Sequence, residues 1–196
     1  MGAVRSFFVL RIPADGLTIR IFYEWRLFMD KKTRQIVHAA MIASLYVVLT
    51  HLQNIILPGS ATWAIQCRLS ETLCALAFFT PAAIPGLTIG CLVFNITYAG
   101  ALPLDFLMGS AATFLAAGSM WLTRKIRFRG LPVVGLVMPA FWNAILVGLE
   151  LTWFIGGGFW LNALYVALGE LIVLLTFGVF LCRIIQNQHL DSKMFK

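Results

Sequence analysis

Glu71, Asp105, Glu150 and Glu170 lie inside or at the edge of otherwise apolar stretches. A carboxylate at membrane depth costs at least ~2.5 kcal/mol on insertion scales, so such groups face a protein interior or a water-filled cavity. The chain has eight acidic residues in all. Half of them in such places points to a polar recognition site rather than to scattered surface charge. A carboxylate accepts two parallel N–H bonds from an amidine-like edge, the fork geometry it uses with arginine. Around the acids the sequence offers amides at Asn95, Asn143 and Asn162, a cation at Arg68 and an aromatic face at Trp142. That set suits a flat ligand rich in N–H donors, and the N1–H and N2–H₂ edge of a guanine-type base presents the pattern.

Other chemistries lack their residues. The four cysteines, Cys67, Cys74, Cys91 and Cys182, have no CxxC or metal-type spacing and are expected as small packing residues. No HExxH arrangement occurs among the three histidines. No phosphate-binding GxxxxGK[ST] loop occurs, so any ATP used by a system containing this chain is hydrolysed by another subunit. No nucleophile–base pair or metal-ligand set accompanies the acids, and no catalytic residue, metal or cofactor is expected.

The elements that must position these residues are membrane helices. Hydrophobic residues make up 60% of the chain, charged residues only 12%, and the mean hydropathy is +0.88. Six spans are expected: about 36–57, a short helix at about 69–79, then about 84–98, 104–122, 131–154 and 159–185. They are punctuated by Pro58-Gly59, Pro81 to Gly86, Gly100 to Pro103, the basic run Arg124–Arg129 and Gly156-Gly157-Gly158. The second and third are too short to cross lipid alone and need shielding by their neighbours. The fold class expected is an all-α integral membrane protein, a six-helix bundle.

Residues 1–28 stand apart. Arg5, Arg11, Arg20 and Arg26 interrupt their apolar runs, and no signal-peptide pattern follows. They fit either an interfacial amphipathic helix or sequence upstream of a true start at Met29. The six-helix domain is expected over residues 29–196.

A net charge of +7 raises nucleic acid as a partner, but the basic residues cluster at the ends of apolar runs. Six crossings put Lys31, Lys32, Arg34, Arg124, Lys125, Arg127, Arg129, Arg183, Lys193 and Lys196 on one side and Arg68 alone on the other. That asymmetry makes both termini cytoplasmic. In this topology the four acids, Asn95, Asn143 and Asn162 share the outer half of the bundle. Glu170, ten or so residues into its span, lies about 15 Å below the outer surface. Asn143 and Glu150, seven residues apart, share a helical face.

Plainer readings stand beside these. Arg68 and Glu71 also fit an i,i+3 surface ion pair, and Asp105 fits a helix start favoured by the dipole. Asn143 fits an interhelical hydrogen bond, Trp142 fits packing as well as stacking, and Trp153 and Trp160 fit an interfacial belt. On the first span, Ala39 and Ala43 with Ala40 and Ser44 form a small-xxx-small pattern that admits another helix, and Gly109, Ala112 and Ala116 form a similar surface on the fourth.

Four segments carry a resemblance: Arg68-Leu-Ser-Glu71-Thr-Leu, Phe79 to Gly90, Phe141-Trp-Asn-Ala-Ile-Leu-Val-Gly-Leu-Glu150 and Ala167-Leu-Gly-Glu170. Together, over about Thr33 to Ile185, the chain resembles the QueT family, queuosine-precursor substrate-binding (S) components of energy-coupling factor transporters. The resemblance implies a six-helix S-component in the bacterial cell membrane that captures queuine or a related 7-deazaguanine from outside. It implies a transmembrane coupling protein and two cytoplasmic ATPases as partners, and toppling of the subunit in the membrane as ATP is used. Ala39-x-x-x-Ala43 matches the small-residue motif through which S-components meet the coupling protein. Binding roles for Glu71, Asn143, Glu150 and Glu170 follow from the matching segments. Alternatives are an S-component or stand-alone carrier for another metabolite or vitamin, an intramembrane enzyme using Glu150 and Glu170, and a scaffold subunit without ligand.

Overall fold

Asp30 opens the first helix. Its carboxylate accepts the main-chain N–H of Thr33 at 2.9 Å, capping a turn that otherwise leaves its donors unpaired. These bonds to Thr33 hold the exposed Asp30 carboxyl below its ordinary range. The computed structural model describes residues 30–60, 67–128 and 130–188. The expectations for residues 1–28 lie outside them, as do Arg129, Lys193 and Lys196.

In chain order the elements are α1 (Lys31–Ile56), a 3₁₀ helix (Leu69–Phe78), α2 (Ala83–Thr97), α3 (Asp105–Thr123), α4 (Val133–Phe154), α5 (Phe159–Val173), a π turn (Leu174–Gly178) and α6 (Val179–Asn187). The described residues form no β-sheet; Phe128 and Leu131 make an isolated bridge. α1, α3, α4 and the continuous run Phe159–Asn187 are long and apolar enough to cross a membrane, while the 3₁₀ helix and α2 are shorter. α2 packs on α3, α3 on α4 and α4 on α5. Large apolar side chains such as Ile36, Phe114, Phe141, Leu164 and Ile172 are exposed, which suits lipid contact and not water.

Two elements depart from a plain helical expectation. The second is 3₁₀ over its whole length, although such helices rarely exceed three or four residues. The sixth widens into a π turn immediately after Val173, an irregularity that often marks functional helices. Within α4, Pro139 cannot donate to the main chain one turn earlier. Membrane helices tolerate such a proline because neighbouring groups satisfy the freed carbonyl.

α1 and α2 meet through glycine. A Cβ at Gly86 would stand 2.7 Å from the Ala39 carbonyl oxygen, and one at Gly90 would stand 2.8 Å from Tyr46 Cβ. Ala39 and Ala43 are thereby half-buried, whereas Ala40 and Ser44 are exposed. On α3, Gly109, Ala112 and Ala116 are all buried within the chain. Gly90→Val is therefore expected to lower stability by about 1–3 kcal/mol through overpacking. Gly118→Ala, where an added Cβ meets nothing within 4 Å, is expected to be neutral or slightly stabilising. Thermal unfolding of the two variants in detergent checks the contrast.

Candidate functional site

The site begins with one face of α1. Tyr46, Thr50 and Gln53 are spaced by four and three residues, so they project from one side of the helix. Each takes hold of a successive residue of the 3₁₀ helix. The Gln53 Oε1 accepts the Leu69 N–H at 2.8 Å, the Thr50 hydroxyl donates to Ser70 Oγ at 2.7 Å, and the Tyr46 hydroxyl donates to Glu71 Oε1 at 2.7 Å. Gln53 also donates to the Cys67 carbonyl at 2.6 Å. These bonds fix the segment that carries Arg68 and Glu71.

The 3₁₀ form has a direct effect on geometry. Three residues per turn eclipse positions i and i+3, so Arg68, Glu71 and Cys74 stand in one row. All three are buried. The Cys74 thiol donates to Glu71 Oε2 at 3.0 Å, so both Glu71 oxygens have partners. The surface-pair reading of Arg68 and Glu71 is excluded by this burial. Arg68 is instead surrounded: its guanidinium lies within electrostatic reach of Asp105, Glu71, Glu150 and Glu170. One of its nitrogens approaches Cys91 Sγ at 3.9 Å.

The acids fall into two pairs, each within electrostatic reach of Arg68. Glu170 has Glu71 as its acidic neighbour, and its Oε1 accepts the Asn143 amide at 3.1 Å. Its Oε2 has no hydrogen-bond partner. Glu150 has Asp105 as its acidic neighbour, near the main chain of Leu104. No hydrogen bond of normal geometry reaches either Glu150 oxygen. Asp105 begins α3, where its Oδ2 accepts the Leu102 N–H at 3.0 Å while Oδ1 is unpartnered. Asp105 is thus both a helix start and a member of the acidic group. Glu71, Glu150 and Glu170 have no accessible surface. Buried polar atoms without partners are uncommon in folded proteins and call for an explanation.

Asn95 joins this group from α2. Its amide donates to the Asp105 carbonyl at 2.7 Å, and a Cβ at Gly109 would come within 2.8 Å of that amide nitrogen. The remaining expected site residues direct their polar atoms elsewhere. The Trp142 indole donates to Ser119 Oγ at 3.0 Å, joining α4 to α3. Asn162 donates to Thr152 Oγ1 and to the Gly156 carbonyl, both at 3.0 Å, closing the turn between α4 and α5.

The cluster as a whole is an acceptor-rich interior with one cation. Comparison with known proteins gives it a context. The model of a family described as QueT transporter matches residues 36–187, well over half of the chain. The chain belongs to the QueT transporter family. It is thus a membrane transport protein by family, and its four long apolar helices agree with that. No curated protein and no solved structure matches it. In this QueT protein Arg68, Glu71, Asp105, Glu150, Glu170, Asn95 and Asn143 come together.

Tyr46, Thr50, Gln53, Cys74 and Cys91 were not among the expected site residues. Their signal in the sequence is faint: polar residues at 46, 50 and 53 share one face of an apolar helix, and thiols at 74 and 91 read as packing groups. Tyr46→Phe removes a donor from a buried carboxylate, and a loss of roughly 0.6–2 kcal/mol is expected. Unfolding in detergent measures it, with Ser119→Ala, which frees only the half-buried Trp142 indole, as the milder comparison.

Proposed function

We propose that this chain is the substrate-capture (S) component of an energy-coupling factor importer and that its cargo is a queuosine precursor of the 7-deazaguanine class. In this reading it crosses the bacterial cell membrane six times, with both termini cytoplasmic. Membership of the QueT transporter family carries the proposal, and the buried acceptors supply a matching chemistry. Glu170 reads the base. Asn143 holds its Oε1, Oε2 is open to a donor, and each carboxylate oxygen has two lone pairs. The N1–H and N2–H₂ edge of a deazaguanine then pairs across both oxygens, while Arg68 attracts the neighbouring acids and helps to hold them in place.

The carboxylates are enclosed by protein, so cargo reaches them only when neighbouring segments part. Closure then removes the ligand from water and strengthens each polar contact. ATP is hydrolysed by two cytoplasmic ATPases, and a transmembrane coupling protein links them to the toppling of this subunit. For the coupling surface the exposed pair Ala40 and Ser44 is the better candidate, because Ala39 and Ala43 already face Gly86 and Gly90.

Two experiments test this. Glu170→Gln replaces one acceptor oxygen by a donor that opposes the ligand N–H. Titration of the purified subunit is expected to show at least about a hundredfold loss of affinity for every 7-deazaguanine tried. Unaltered affinity would remove Glu170 from the site, and tighter binding of an unrelated metabolite in a ligand panel would replace the cargo. Ala40→Leu is expected to leave binding intact and to slow ATP-driven uptake in vesicles containing the whole transporter. Uptake at the wild-type rate would dismiss that surface.

A further inference from the structure

The connection from α3 to α4 interleaves cations with large apolar side chains: Leu122, Arg124, Lys125, Ile126, Arg127 and Phe128. Leu122, Ile126 and Phe128 are 79%, 56% and 67% exposed. The segment is nevertheless folded. Phe128 and Leu131 exchange both main-chain bonds, at 2.8 and 3.0 Å, around Gly130, whose φ of 81° lies in the left-handed region that glycine adopts without strain. The Gln186 amide of α6 donates to the Gly130 carbonyl at 3.3 Å, and Arg127 lies within electrostatic reach of Cys182 on the same helix. Arg124 is held as well. Its guanidinium lies 3.5 Å from the centre of the Trp121 ring, and one nitrogen donates to the Trp121 carbonyl at 2.7 Å. A guanidinium has five donors, so this bond leaves most of the fork to outside acceptors. Acids are remote from these cations in the sequence: no Asp or Glu occurs between Asp105 and Glu150 or between Glu170 and Asp191. Among the described residues the acids are the four of the buried cluster and Asp30, whose carboxylate caps its own helix.

We propose that this hairpin is a docking surface for anionic phospholipid, with Arg124, Lys125 and Arg127 on the phosphate headgroups and Leu122, Ile126 and Phe128 in the acyl boundary. α3 ends at Thr123 and α4 begins at Val133, so a chain that crosses the bilayer in both places this connection at a membrane surface. There each Lys or Arg is drawn by the charge of anionic lipid, and an amphipathic segment sinks its apolar side chains to the headgroup boundary. The arginines suit phosphate in particular, because their planar fork pairs with two of its oxygens. The Trp121 ring sets the Arg124 fork, and the Gln186 bond fastens the turn, before lipid arrives. The inference rests on α3 and α4 as membrane spans and is independent of the cargo.

The test places the full chain in phosphatidylcholine vesicles with a trace of spin-labelled phosphatidylglycerol or spin-labelled phosphatidylcholine. Electron spin resonance reads the fraction of each label held at the protein. The anionic label is expected to be held at least about threefold more strongly. Arg124→Gln/Lys125→Gln/Arg127→Gln is expected to lose at least about half of that preference. Lys31→Gln/Lys32→Gln/Arg34→Gln removes the same charge from the start of α1 and is expected to keep most of it. Ile126→Asn/Phe128→Asn leaves every charge, and so the topology signal, in place; it too is expected to lose at least about half, because the cations no longer rest at headgroup level. Equal retention of the two labels by the wild type, or equal loss from both charge variants, overturns the inference. So does full preference in Ile126→Asn/Phe128→Asn. If the wild type shows no preference and the hairpin charge variant fails to co-purify with the coupling protein and ATPases, the surface serves those partners and the lipid assignment falls. A wild-type chain that stays outside the vesicles overturns the spans as well, whereas one that inserts without preference overturns this inference alone.

Discussion

One buried guanidinium among four buried carboxylates sets the terms for the rest of this structure. Charges removed from water are costly, and the cost is recovered only where geometry and hydrogen bonds are nearly complete. Arg68 meets acids from four elements of the chain: Glu71 in the 3₁₀ helix, Asp105 at the start of α3, Glu150 in α4 and Glu170 in α5. The bundle must therefore close around these groups with little freedom. Gly109 leaves room for Asn95, Gly90 leaves room for Tyr46, and α1 secures Leu69, Ser70 and Glu71 one after another. Packing and polarity are not separate problems here. The close helix approaches bring the polar partners within bonding distance, and those partners justify the close approaches.

The satisfaction of the cluster is uneven, and the unevenness is informative. Glu71 has a donor on each oxygen, so it behaves as part of the frame. Glu170 has one, from Asn143, and Glu150 has none. The acid bonded to α1 is fully served, and the one in α4 is unserved. A frame held rigid on one side and acceptors left open on the other is the arrangement expected of a preorganised recognition site. The fixed part bears the cost of positioning before any ligand arrives.

Much of this was legible in the residues themselves. The helix limits followed from Pro58-Gly59, from Pro81 and from the glycines at 156–158, because each breaks a helix by a backbone effect that needs no tertiary context, whereas Pro85 and Gly86 fall inside the first turn of α2. The acids were conspicuous because charge is rare in apolar sequence. Pairing was harder. Glu150 is joined to Asp105 and Glu170 to Glu71 by the crossing of helices, which sequence separation does not encode. The framework donors Tyr46 and Cys74 were hidden by their chemistry, since a phenol and a thiol count as ordinary residues in a membrane helix. Arg68 was open to two readings, a surface ion pair with Glu71 or a cation inside the site, and its burial removes the first.

The 3₁₀ segment imposes a constraint on length as well as direction. Ten residues wound this tightly reach roughly 20 Å, against about 15 Å for the same number in an α-helix. Each residue turns the chain through about a third of a revolution and advances it about 2 Å. One residue gained or lost between Arg68 and Cys74 would swing the guanidinium out of its row and carry it away from the acids. Short segments at the mouth of a bundle usually absorb insertions and deletions. This one cannot, and its spacing is expected to be as invariant through descent as the identities of the charged residues it aligns.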